Sequence, residues 1–313
     1  SALGSPADPA ELDRRFEAHE RGAILVAAVF DAFFTAYTQR MADLFRIARV
    51  GTGSPGGEIT VDLANRLAGE AAKTARQFLT MCIRALDYTP PIDITFGDFL
   101  RAMITADHDL VRDDDLGYRD IVIEAFRRRG IRPQDVASYS ESSLRWDPPL
   151  GAQGSFIVGP QLDFDLIRGT SPEILRQNAR RLHAFALENM EALHLKKPGA
   201  SGWPKVAVWS FHPLSRVGPD GQLRHQIVAE LLQQEIDPVT KWKQRGGTTV
   251  VIDARTGVVE HAIFKRLDTD KGQRRDRERD YRERLRLLAA DAYAFEIDGS
   301  NLRVNFAAVH RGF

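Results

Sequence analysis

The 313-residue chain balances 43 Lys and Arg against 43 Asp and Glu, so no net field recruits nucleic acid or an anionic membrane. Hydrophobic residues make up 43% of it, enough for real cores, and the length suits two ordinary domains. Its single cysteine, Cys82, cannot close an internal disulfide, which argues against a disulfide-stapled secreted fold and for a reducing compartment or indifference to redox state; a cytoplasmic setting is expected. Residues 1–6 lack the basic start and apolar core of a signal peptide. The longest apolar run, residues 23–34, is interrupted by Asp31 and falls short of a membrane span, so a soluble protein is expected.

In chain order, Ile24, Leu25, Val29, Phe33, Tyr37, Met41 and Phe45 recur at helical spacing and predict one long helix over 22–47. That helix is apolar almost all round until Thr35, so by composition its first half should be fully buried. Residues 51–57, rich in Gly with Ser and Pro, read as a loop. A second helix is expected over 61–86, stopped by Pro90 and Pro91. A third spans 96–110, with Thr95 as N-cap and Asp98 placed for a capping box. A fourth covers 116–129, with Gly130 as its C′ glycine and Pro133 preventing re-entry. Residues 1–135 thus form an all-α unit, and 136–170, rich in Ser, Pro and Gly, a linker.

Residues 171–313 change character. Ser171, Pro172 and Glu173 supply a cap, an N1 proline and a first-turn acid for a helix ending near Leu195. Its inward residues are expected to be Ile174, Leu175, Leu182, Phe185, Ala186 and Met190. Two hairpins follow: 206–211 with 223–232 around a turn at 218–221, and 248–253 with 258–264 around 254–257, where Gly257 suits a positive φ. A highly charged helix over 271–294 and a last strand over 302–306 complete a smaller antiparallel-sheet domain with flanking helices, so the fold class is α+β.

Two stretches of the helical unit carry a resemblance. The first is His19-Glu20-Arg21-Gly22-Ala23, opening the long alanine-rich helix. The second runs from Ile94-Thr95-Phe96-Gly97-Asp98-Phe99-Leu100-Arg101-Ala102 through Ala106-Asp107-His108-Asp109-Leu110, then from Tyr118 to Ala125-Phe126 and Gly130-Ile131. In order and spacing, residues 15–131 resemble the C-terminal helical lobe of thermolysin-like (gluzincin) zinc metallopeptidases. The resemblance implies peptide-bond hydrolysis by zinc-activated water, on a peptide or protein substrate. It also implies that His19 hydrogen-bonds the tetrahedral oxyanion.

The zinc motif itself is missing. Two histidines one helical turn apart share a face and can reach one ion. None of His19, His108, His183, His194, His212, His225, His261 and His310 has a histidine four residues away. In the family the motif lies N-terminal to the matched portion, so this chain is expected to hold no cofactor alone. Its partner would then be an N-terminal catalytic half, or another chain, packing on the helical lobe and leaving that face partly uncovered without it. The glycine after His19 also comes one residue earlier than the family has it, and the orienting acid has two candidates, Asp13 and Glu17. The alternative function is a non-catalytic interaction or regulatory protein on a degenerate peptidase scaffold.

Other candidates have plainer readings. Adjacent residues on a helix point about 100° apart, so Asp107-His108-Asp109 reads as a solvated helix end rather than a metal cluster. Asp113, Asp114 and Asp115 read as an acidic start to the fourth helix. Cys82 reads as a buried small hydrophobe. His212 and His225 sit on opposite strands of the first hairpin, close enough to approach each other, but two histidines seldom make a metal site. The Arg-rich run over 271–284 interleaves acids at helical spacing, which favours a solvated helix over a nucleic-acid arm. Trp203, Trp209 and Trp242 read as core or interface residues.

Overall fold

The computed structural model describes residues 7–15, 18–52, 60–151, 154–164, 169–199, 202, 204–218, 220–236, 243–267, 295–298 and 301–304. The fold is α+β. After a single turn, α1 (Glu11–Arg14), comes α2 (Ala18–Thr52), a 35-residue helix that runs two residues into the stretch expected to be loop. Next come α3 (Val61–Ala85), a 3₁₀ turn over Leu86–Tyr88, α4 (Phe96–Leu110), α5 (Tyr118–Arg128) and the one-turn α6 (Glu141–Leu144). Beyond them lie α7 (Pro172–Glu188) and four strands, β1 (Lys205–Val217), β2 (Leu223–Ile236), β3 (Lys243–Asp253) and β4 (Val259–Lys265). A separate short hairpin, β5 (Phe295–Asp298) with β6 (Asn301–Val304), closes the described chain. The helix expected over 271–294 lies outside the described residues.

Local chemistry sets most of these limits. Thr95 accepts a hydrogen bond from the Asp98 amide, and the Asp98 carboxylate accepts from the Thr95 amide, the expected capping box. Ser171 caps α7 through the Ile174 amide, with Pro172 at N1. Asp114, the middle acid of the run, accepts from the amides of Tyr118 and Arg119 at 2.9 and 2.7 Å and so satisfies the first turn of α5, whose N-cap Gly117 has no side chain to do so. Helix α7 stops at Glu188, earlier than expected. Asn189 takes over as C-cap, and the chain turns through His194 at a φ of 54°. Leu175 is exposed, and the buried position is taken instead by Asn178, whose amide bonds both backbone groups of Asp163.

The four-stranded sheet is an antiparallel meander in the order β1-β2-β3-β4. Both its faces are covered, which explains why β2 and β3 carry continuous buried runs instead of alternation. On one face Ile227, Ala229, Leu231, Val250, Ile252 and Ala262 pack against Leu182, Phe185 and Ala186 of α7. On the other, Val228, Val251 and Ile263 join a core built from α2, α3, α4 and α5. Adjacent residues anchor the two faces: the Thr248 hydroxyl donates to the Leu193 carbonyl, and the Thr249 hydroxyl donates to the Thr89 carbonyl at 2.9 Å. A bulge between Val208 and Ser210 turns Trp209 out of the ladder, leaving it 71% exposed. Of the core and interface places expected for it, the core one is thereby excluded. Trp203 and Trp242 lie outside the described residues.

Over residues 19–47, α2 is long and apolar enough to cross a membrane by length and composition. Here its small inner residues Ala28, Ala32 and Ala36 are buried against its neighbours in the helical core. Asp31 on the same helix pairs with Arg129, at the end of α5. Arg40 ties three helices together through Glu70 of α3 and the Tyr118 hydroxyl of α5.

Candidate functional site

His19 sits in the first turn of α2 and is exposed. Around it, Arg15 pairs with Glu20 at 3.0 Å, and the Arg21 guanidinium donates to the carbonyls of Leu12 and Arg15 at 2.8 Å. These bonds fold α1 back onto the start of α2. Of the two acids proposed to orient His19, Asp13 is exposed on α1 and Glu17 lies outside the described residues.

The outer face of α2 continues from His19. Positions 19, 23, 26, 30 and 34 fall on one stripe at 100° per residue. Every one of them is exposed: Val26 by 67%, Phe30 by 40% and Phe34 by 53%. Full burial, the expectation from composition, is therefore wrong for this face. The covered side carries Ala28, Ala32 and Ala36 with Ile24 and Met41, while Val26, Phe30 and Phe34 lie on the side left uncovered. The Phe30 and Phe34 rings stack on each other at 6.4 Å, while Phe33 turns inward against Phe78.

The three residues Asp107, His108 and Asp109 point three ways, as helical geometry requires. Asp107 pairs with the fully buried Arg119 at 2.9 Å, and burial pushes its carboxyl up. His108 accepts from Arg145; burial and that guanidinium lower its pKa. Asp109 reaches the sheet. It accepts from His261 of β4 at 2.8 Å and from the Tyr88 hydroxyl at 2.6 Å. Sequence reasoning missed this cluster because 152 residues separate its partners. Other charge contacts seat the sheet on the helices: Lys265 to Asp98 at 2.7 Å and Arg216 to Asp87 at 2.8 Å.

His212 and His225 do not face each other. His212 pairs with Val228 across the ladder, and His225 pairs with Ser215, whose hydroxyl lies 2.9 Å from its Nδ1. Cys82 is half-buried, and burial pushes its thiol pKa up, away from nucleophilic character. Among the described residues no group of three or more His, Cys, Asp or Glu side chains is placed to hold a metal ion.

Comparison with protein-family models, with characterised proteins and with solved structures gives no match to this chain.

Proposed function

We propose that this chain is the C-terminal part of a metallopeptidase-like protein. It would take part in zinc-dependent peptide hydrolysis only together with an N-terminal half that carries the zinc ligands. One observation carries the reading: the uncovered stripe of α2 that begins at His19 and continues through Val26, Phe30 and Phe34. A face with one imidazole at its head and bulky apolar residues behind suits a wall of a cleft whose other wall is a second lobe. Zinc, held by that lobe, supplies Lewis-acid activation of water. The described residues provide no ligand set for it, so this chain's share is electrostatic. His19 donates a hydrogen bond to the oxyanion formed when the peptide carbonyl is attacked.

The test starts from the gene. If the reading frame upstream of residue 1 encodes His-Glu-x-x-His, the joined protein should bind one zinc and cleave peptides. An upstream frame without that motif, or a joined protein that binds zinc without cleaving any peptide, sinks the catalytic reading. The non-catalytic interaction or regulatory protein would then stand in its place.

A further inference from the structure

An open cavity of about 930 Å³ lies between the 145–151 loop, the end of α7 and the edge of the sheet. Its size is that of a small-molecule site. At its base is Arg101 of α4, which is only 6% exposed. The guanidinium lies face-on to the Trp146 ring, 3.3 Å from its centroid. It donates from Nε to the Leu144 carbonyl at 3.1 Å and, weakly, from Nη2 to the Arg145 carbonyl at 3.5 Å. Among the described residues no carboxylate pairs with it. Asp98, Asp135 and Asp147 act only from a distance, and Asp98 is engaged by Lys265.

A buried cation without an anion is costly, and burial lowers this guanidinium to about 10. Stacking occupies the face of the group and leaves its outer edge, with Nη1, for in-plane bonds. The Trp146 indole N–H, buried beside it, also has no hydrogen-bond partner among the described residues. Across the cavity, burial and the neighbouring Arg266 hold His194 down at about 4, so its imidazole is neutral at pH 7. Its Nδ1 accepts from Arg266, which leaves the proton on Nε2 as a donor. Leu187, Met190, Leu150 and Phe264 supply apolar wall.

We infer that this cavity binds a small monocarboxylate with an apolar body, its carboxylate seated on the edge of Arg101. Asp135, Asp147, Glu188 and Glu191 also line it, beside Arg145 and Lys197; Lys197 is paired with Glu191 and Arg145 is engaged by His108, so Arg101 is the buried cation left for one negative charge while the remaining acids repel a polyanion. The inference is independent of the peptidase reading and does not involve His19.

Calorimetric titration of the full chain with benzoate tests it, with benzamide as the uncharged isostere and citrate as the polyanion. Benzoate should bind saturably at one site per chain, and benzamide and citrate at least about tenfold more weakly. Arg101→Gln should weaken benzoate by about tenfold or more while leaving benzamide unchanged. Should that buried substitution fail to fold, Leu187→Glu at the half-exposed mouth adds a repelling carboxylate without touching the core, and should weaken benzoate severalfold. No saturable benzoate binding, equal binding of benzamide, or an unchanged affinity in the folded variants overturns the assignment.

Discussion

Asp109 of α4 and His261 of β4 meet at 2.8 Å in the layer between helices and sheet. The other ring nitrogen of His261 faces the Trp146 carbonyl at 2.8 Å, so it must donate a proton there. With a carboxylate on one side and a carbonyl on the other, both nitrogens carry hydrogen and the ring is an imidazolium. Burial opposes that charge, but Asp109 overcomes it and raises the His261 pKa above its ordinary value. Burial likewise opposes the charge on Asp109; the bonds from His261 and Tyr88 prevail and hold its pKa below the usual carboxylate range.

The pair therefore makes stability depend on pH in two directions. The raised His261 contributes fully below its unfolded value of 6.5, and loses that contribution as pH rises through the folded value. The lowered Asp109 contributes above its unfolded value of 3.8, and loses it as pH falls through the folded one. Asp109→Asn should cost about 1–3 kcal/mol near pH 6, since the buried ring loses the carboxylate that holds its second proton. The gap between parent and variant should narrow toward pH 9. Denaturant unfolding at several pH values measures this, and a gap that widens with pH would refute the assignment.

Gly130 follows α5 with a φ of 67°, and a Cβ there would lie 1.8 Å from the Pro9 carbonyl oxygen. Gly130→Ala should lose about 1–2 kcal/mol for the left-handed backbone. Displacing the segment around Pro9 should add about 1–3 kcal/mol. Gly22 in α2 offers the contrast, because a Cβ there meets nothing within 4 Å. Gly22→Ala should stabilise by about 0.5–1 kcal/mol through helix propensity. Thermal and denaturant melts of the two variants should move in opposite directions; equal shifts would contradict the backbone argument.

These contrasts show where the sequence was legible. Thr95 with Asp98, Ser171 with Pro172, and Gly130 each act within a few residues, so the limits of α4, the start of α7 and the end of α5 could be read directly. The hairpin at Gly257 obeys the same local logic, and the structure gives it a φ of 73°. The outward stripe of α2 was not readable from composition, because the periodicity of an all-round apolar helix does not say which side is covered. The bulge that expels Trp209 leaves no mark on alternation. Asp109 and His261 needed the sheet to be docked before either had a partner, and the cavity around Arg101 is formed by three segments distant in sequence. The candidate site was legible only as far as His19 and the helix it heads.

The outer stripe of α2 also has an energetic signature. Phe30 and Phe34 are half-exposed, so Phe30→Ser with Phe34→Ser should change unfolding free energy by no more than about 1 kcal/mol. Ala32, fully buried one helical step away, should behave oppositely: Ala32→Leu forces three carbons into a filled contact and should cost about 1–3 kcal/mol. Association with a zinc-bearing half should be weakened by the double serine variant, because such patches mark partner surfaces. A double variant that unfolds readily would mean that the stripe belongs to this chain's own core.

His19 carries the sharpest prediction of the proposed function. On that proposal, in a protein joined to a zinc-bearing half, the hydrogen bond from this imidazole would be made to charge that develops only after attack on the carbonyl. Its loss should therefore lower kcat with little change in KM. Removal of one such donor costs on the order of 10²–10³ in rate, about 3–4 kcal/mol. His19→Phe is a fair substitution, since the side chain is exposed at the first turn of α2 and leaves no cavity behind. His19→Gln keeps a donor and should recover part of the rate, an outcome that a purely structural role at the helix start would not produce. If the phenylalanine variant folds like the parent and cleaves peptides at the parent rate, His19 is only the residue on which α2 begins.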